Sequence, residues 1–295
     1  MRLVVPIAID ENNLTATNVA ENDAPAYSGA TTYDTDDQVI YEHRVYESLE
    51  DSNTGNQPDE NPTKWNDLGP TNRYKAFDQA VASQTENSGT VEFTVTPGEV
   101  NNAVSLLNLS GNTAQVIVTD PTDGEVYNTT KPLVDNTEID DWFAYFFDDI
   151  SSLSDVVFID LPQYRDADIE IIIDADAGTA KVGTVIVGKQ REVGESLFGS
   201  SVFIDDYSRK ERDAFGNFTV VERGFSKRGN FAVKVDTAKV SGTQRALSNV
   251  RSIPTLYVGD AARAETIIYG FYKNFEIVLS GPEKSDCTLE VEGMT

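Results

Sequence analysis

Between residues 71 and 199 short apolar runs follow one another, each broken by Gly, Asn, Asp or Pro, and no stretch between them keeps a helical period. The runs fall at 90–96, 103–109, 115–119, 142–147, 155–159, 169–173 and 181–187. Strands this short must each bury one face against another layer, which predicts a central, jelly-roll-like β-sandwich. The all-apolar stretches around Val156 and Ile171 belong at its centre. The run Trp142-Phe143-Ala144-Tyr145-Phe146-Phe147 is too aromatic for simple alternation. It is read as a strand buried on both faces, the alternative being a ring face exposed at a subunit contact.

The flanks differ from this centre. Residues 1–25 form an arm or strand: the β-type run 3–9 contains Pro6, which removes a ladder donor and points to an edge strand or to an arm lying on another surface. Residues 26–70 are dense in aromatics and turn residues and predict a small aromatic β module, with a hairpin folding around Glu42-His43. Residues 200–295 predict a separate α+β domain with strands at 202–207, 218–223, 231–235, 255–258, 266–279 and 287–291. Its one helix spans about 237–250, with Asp236 as N-cap and Pro254 beyond its end. Residues 213–217 read as a hairpin turn. The fold class is therefore mainly β: an aromatic module, a sandwich and a C-terminal α+β domain.

Composition narrows the chemistry. With 295 residues and 39% hydrophobic side chains the chain can bury substantial cores without disulfide or metal. Cys287 is the sole cysteine and His43 the sole histidine, so no intrachain disulfide and no Cys or His metal cluster can form, and any Ser-His or Cys-His pair would need His43. No apolar run approaches the roughly 18 residues of a membrane-spanning helix, and residues 1–10 lack a signal-peptide pattern, so no membrane insertion or general secretion is expected. A net charge of −26 opposes nucleic-acid binding over the whole surface. Residues 207–251 depart from that charge, with ten Lys or Arg against four acids. Such a basic patch either docks the acidic face of a neighbouring copy or partner, or is a solvated face with local ion pairs.

Recognisable catalytic patterns do not emerge. Asp166, Asp168, Asp174 and Asp176 with Gly178 lack the spacing of a twelve-residue calcium loop and read as solvated loop ends. Gly194 to Gly199 carries no Gly-x-Ser-x-Gly elbow, no phosphate-cradling glycine loop appears, and 49 acids single out no glycosidase pair. The expectation is a protein without catalytic residues, metal or cofactor.

Two resemblances add to this reading. Tyr33-x7-Tyr41-x4-Tyr46, followed by Asn53-x-Gly55-x2-Pro58 and Trp65, resembles the small carbohydrate-binding modules of the chitin-binding (family 5/12) type, with Ser48-Leu49 where those commonly carry paired tryptophans. The resemblance implies sugar stacking on Tyr33, Tyr41, Tyr46 and Trp65, while the residues themselves read first as the miniature core of a small module. Over the whole chain, Trp65 to Tyr74 with Phe77-Asp78, Asp205 to Lys210, Phe225 to Arg228, Tyr269 to Phe275, Cys287 and Glu290 to Gly293 resemble a family of tail-associated proteins of phages and prophages. That family implies a virion protein of the tail tip, baseplate or adjoining ring, made in the host cytoplasm, partnered by other tail proteins and present as a ring-forming homo-oligomer. It also leaves room for contact with a cell-surface glycan. Arg209, Lys210, Arg212, Lys227, Arg228, Tyr269, Phe271 and Tyr272 are the expected subunit interface. The rival readings are a free carbohydrate-binding protein and a cell-wall-degrading enzyme with a binding module.

Overall fold

The computed structural model describes residues 1–135, 141–147, 151–212 and 215–294. The chain is mainly β, as the short apolar runs require. A five-stranded antiparallel sheet is ordered Gly124–Pro132, Thr113–Asp120, Asp168–Val182, Thr85–Val95, Leu14–Thr17. It faces the first strands of a larger, ten-stranded sheet. That sheet runs Val156–Ile159, Ala103–Leu107, Thr184–Glu192, Arg2–Pro6, Thr255–Val258, Ile267–Val278, Lys284–Gly293, Phe225–Asp236, Glu195–Ser196, with Ser201–Asp206 also paired to Phe225–Asp236. Val91, Phe93, Val116, Ile169, Ile171 and Ile173 from one sheet meet Val104, Leu106, Phe158, Val185 and Val187 from the other in one buried cluster. Alternation does this directly: Ile169, Ile171 and Ile173 point inward while Glu170 and Ile172 point out.

Residues 181–187, expected as one strand, are split by a corner. Val182 ends a strand of the smaller sheet, Thr184 begins one of the larger, and Gly183 makes the crossing. Its N–H donates to the Leu107 and Asn108 carbonyls at 3.0 and 3.1 Å. A Cβ there would sit 2.3 Å from the Val81 carbonyl oxygen, so only glycine fits the approach.

Three further expectations are corrected. The N-terminal run is neither edge nor loose arm: Arg2–Pro6 lies inside the large sheet, antiparallel to Thr184–Glu192 on one side and Thr255–Val258 on the other. The second ladder stops at Val4, so the N–H that Pro6 lacks is not needed there. This strand carries the sheet continuously across the boundary expected near Ser200. The run 142–147 is a short helix, Trp142–Phe147, and Trp142, Phe143 and Phe146 are exposed rather than buried on both sides. Trp142 and Phe146, one turn apart, stack with centroids 6.2 Å apart. Asp236 precedes the C-terminal helix but does not cap it; its carboxylate pairs with Lys284 at 2.9 Å and Lys239 at 3.1 Å. That helix opens as a 3-10 turn, Thr237–Lys239, and continues as Val240–Asn249, laying Leu247 on the cluster of Phe231, Val233, Tyr257 and Leu289.

Candidate interaction surface

The small module is built around its aromatic rings. Strands Gln38–Tyr41, Arg44–Ser48 and Trp65–Pro70 form its sheet, and Glu42 and His43 turn the first hairpin with φ of 45° and 61°, the pair of positive values that a tight two-residue turn needs. Tyr33, Val39, Tyr46 and Trp65 are buried together, with Tyr27 and Tyr41 packed against them. The Tyr33 and Trp65 rings meet edge-on at 5.3 Å, and Trp65 Nε1–H donates to the Asn56 carbonyl at 2.9 Å. Tyr33, Tyr46 and Trp65 thus act as core, and only Tyr41 of the four expected sugar-stacking residues is part-exposed. Trp65→Ala is expected to cost roughly 3–5 kcal/mol. Hydrogen exchange would then show protection lost over 27–70 and kept in the sandwich; retained protection in the module would contradict the assignment.

The module is tied down at its one histidine. His43 Nδ1 lies 2.8 Å from Glu21 Oε1, which also accepts from Thr71 Oγ1 at 2.8 Å, while Arg73 reaches the other Glu21 oxygen at 3.4 Å. The Tyr74 ring covers the imidazole at 4.2 Å. His43 is therefore a clamp between module and sandwich. Cys287 is buried, and burial pushes its thiol pKa up, away from a reactive thiolate. Among the described residues no group of three His, Cys, Asp or Glu side chains is placed to hold a metal ion. No described helix is long and apolar enough to cross a membrane.

The feature that stands out lies at the far end of the large sheet. Ser201–Asp206 pairs with residues 225–230, and Arg209–Arg212 pairs with Phe218–Val221, giving one two-stranded ribbon. Between the pairs Asp206↔Phe225 and Arg209↔Val221 one strand advances three residues and the other four, so the ribbon carries a bulge. The turn expected at 213–217 includes residues 213 and 214, which lie outside the described residues. Lys284–Gly293 backs the ribbon only as far as Arg228. From Tyr207 to Gly224 every described residue except Ser208 is exposed. Beyond Tyr207 and Ser208, the four paired residues Arg209–Arg212 extend the ribbon by about 13 Å.

Its root is fastened by charge. Arg228 pairs with Asp205 at 2.9 Å and Glu290 at 3.0 Å and sits over the Phe203 ring; Lys227 pairs with the buried Asp155 of the sandwich. Farther out, Lys210 pairs with Asp206 at 2.5 Å, and this contact, with Ser208, holds the Asp206 carboxyl well below the usual carboxylate range. Arg209 pairs with Glu211 and Arg212 lies over Phe218. Yet Ile204, Phe218, Val220, Val221 and Phe225 are each about half exposed or more. An isolated two-stranded ribbon is marginal in water, and a monomer seldom leaves so many large apolar side chains together in solvent.

No protein family, no curated protein and no solved structure matches this chain. The surface must be read from its own chemistry.

Of the eight residues expected at the interface, Arg209, Lys210 and Arg212 lie on the projecting ribbon and Lys227 and Arg228 at its root. Tyr269 is buried, Tyr272 is half-buried with its ring edge-on to Phe275, and Phe271 is exposed. Charge had located the ribbon, but not its apolar residues. Those read as ordinary strand positions, because alternation does not reveal whether a second layer follows.

Proposed function

We propose that this chain is a non-enzymatic structural subunit that works by assembling with copies of itself and with other proteins, as a tail-tip, baseplate or ring component of a tailed-phage virion. The observation that carries the assembly reading is the ribbon, whose outer part is about 13 Å of exposed two-stranded β with large apolar side chains and a fastened root. The phage setting rests on the resemblance of the ordered motifs from Trp65 to Gly293. The non-enzymatic part rests on the places of the sole histidine and the sole cysteine: His43 is held as a clamp and Cys287 is buried. Contact with a host glycan has less support, since three of the four rings that would stack on sugar fill the module core.

Immunogold microscopy of intact particles tests the reading. Label on the tail is expected, and particles assembled with a chain whose residues 207–224 are replaced by an Asn-Gly turn should lose it. Absence of label from any particle would overturn the virion setting.

A further inference from the structure

The ribbon has two unlike faces. Residues directly opposite on paired strands share a face, as do residues two apart on one strand. The register Lys210↔Val220 and Arg212↔Phe218 therefore puts two cations and two large apolar side chains on one side, with Arg209, Glu211, Thr219 and Val221 on the other. The first face calls for a partner surface that is apolar at its centre and acidic around it.

This chain carries such a surface. The outer face of the five-stranded sheet shows Ile117 and Ile172, half-buried, and around them Glu92, Glu170 and Asp174. The register confirms their grouping: Ile172 lies opposite Glu92 and Gln115, and Ile117 opposite Glu170. Among the described residues none of these three acids pairs with a cation, and no lysine or arginine lies on this face over residues 90–94, 113–119 and 168–174. Uncompensated carboxylates on a sheet repel one another, and a cationic partner relieves that. The three adjacent strands that carry these residues lie about 4.8 Å apart, so the paired tip Arg209–Arg212, about 13 Å long, is long enough to cross them.

Resting on the assembly reading above, we propose that the ribbon of one copy lies across the outer face of the five-stranded sheet of the next, with Phe218 and Val220 on Ile117 and Ile172, and Lys210 and Arg212 among Glu92, Glu170 and Asp174. The two surfaces differ, so the contact repeated head-to-tail builds a ring or a filament, whereas a reciprocal exchange of ribbons closes as a two-fold dimer.

Two variants of the full chain test this by sedimentation velocity. Arg212→Glu with Phe218→Ser disables the ribbon, and Glu92→Lys with Glu170→Lys disables the sheet face; all four positions are surface-exposed or half-exposed, and circular dichroism checks that each variant folds. Each alone should self-associate at least about tenfold more weakly than the wild type, and an equimolar mixture should give a 1:1 pair that grows no further. The milder pair Glu92→Gln with Glu170→Gln should weaken association in part and serves if the reversal variant misfolds. Wild-type association by a folded sheet-face variant overturns the proposed acceptor while leaving the ribbon's role intact. Wild-type association by both variants overturns the ribbon's role, and a wild-type chain that stays monomeric overturns the assembly reading itself.

Discussion

An aspartate at position 3 is expected to unfold the large sheet as a whole, not to loosen one end of it. Leu3 is fully buried among Phe231, Tyr257, Ile268 and Leu289, on a strand hydrogen-bonded on both sides. Truncation to alanine there should cost roughly 2–5 kcal/mol. Leu3→Asp adds the penalty of a buried, unpaired carboxylate, several kcal/mol more. Together these approach the ~5–15 kcal/mol that holds a typical domain folded. Calorimetry should show the sandwich and the C-terminal strands losing stability together, because Arg2–Pro6 joins Thr184–Glu192 to Thr255–Val258. A C-terminal transition left at its wild-type temperature would contradict the single-sheet account.

Gly188→Val attacks the same seam from the neighbouring strand. A Cβ at Gly188 would lie 2.1 Å from the Val5 carbonyl oxygen and 3.1 Å from Val4 Cγ1, and the first of these is main chain that cannot rotate away. Relief requires the two strands to part at the pair Pro6↔Gly188. The expected cost is ~3 kcal/mol or more, from an overpacked core together with displaced backbone. Gly242, in the C-terminal helix, has nothing within 4 Å of its would-be Cβ. Gly242→Ala should instead stabilise by about 0.5–1 kcal/mol through helix propensity. Urea midpoints for the two variants should move in opposite directions; a Gly188→Val midpoint equal to the wild type would show that the seam is looser than described.

The parts of the fold legible in sequence are those where period and burial coincide. Ile169, Ile171 and Ile173 alternate with Glu170 and Ile172 and face the core as alternation predicts, and Glu42-His43 turns a hairpin. The misreadings have physical causes. Pro6 argued for an edge because the missing N–H was counted without knowing where the second ladder would stop. The aromatic run 142–147 has neither period, and its helix places Trp142 and Phe146 in a stack one turn apart. Gly183 looked like an interruption inside a strand, when its lack of a side chain lets the chain pass Val81 from one sheet to the other. Asp236 had the residue type and place of an N-cap, but Lys284, distant in sequence, competes for its carboxylate.

The candidate site was half legible for a related reason. Lys210 and Arg212 stood out against a chain of net charge −26, whereas Phe218, Val220 and Phe225 were indistinguishable from core residues. Their exposure follows from the sheet ending at Arg228, a long-range fact about Lys284–Gly293 that no local pattern encodes. The same limit applies in reverse to Tyr33, Tyr46 and Trp65, whose spacing suits either a sugar platform or a core until their packing is seen.

The most direct measurement is a sedimentation-equilibrium series over concentration, comparing the full chain with one in which residues 207–224 are replaced by Asn-Gly, a turn suited to closing the ribbon after the pair Asp206↔Phe225. The account predicts that the full chain gains mass with concentration, whereas the shortened chain, with the same thermal stability, remains monomeric. Equal association by the two chains, or a full chain that stays monomeric throughout the series, would contradict it.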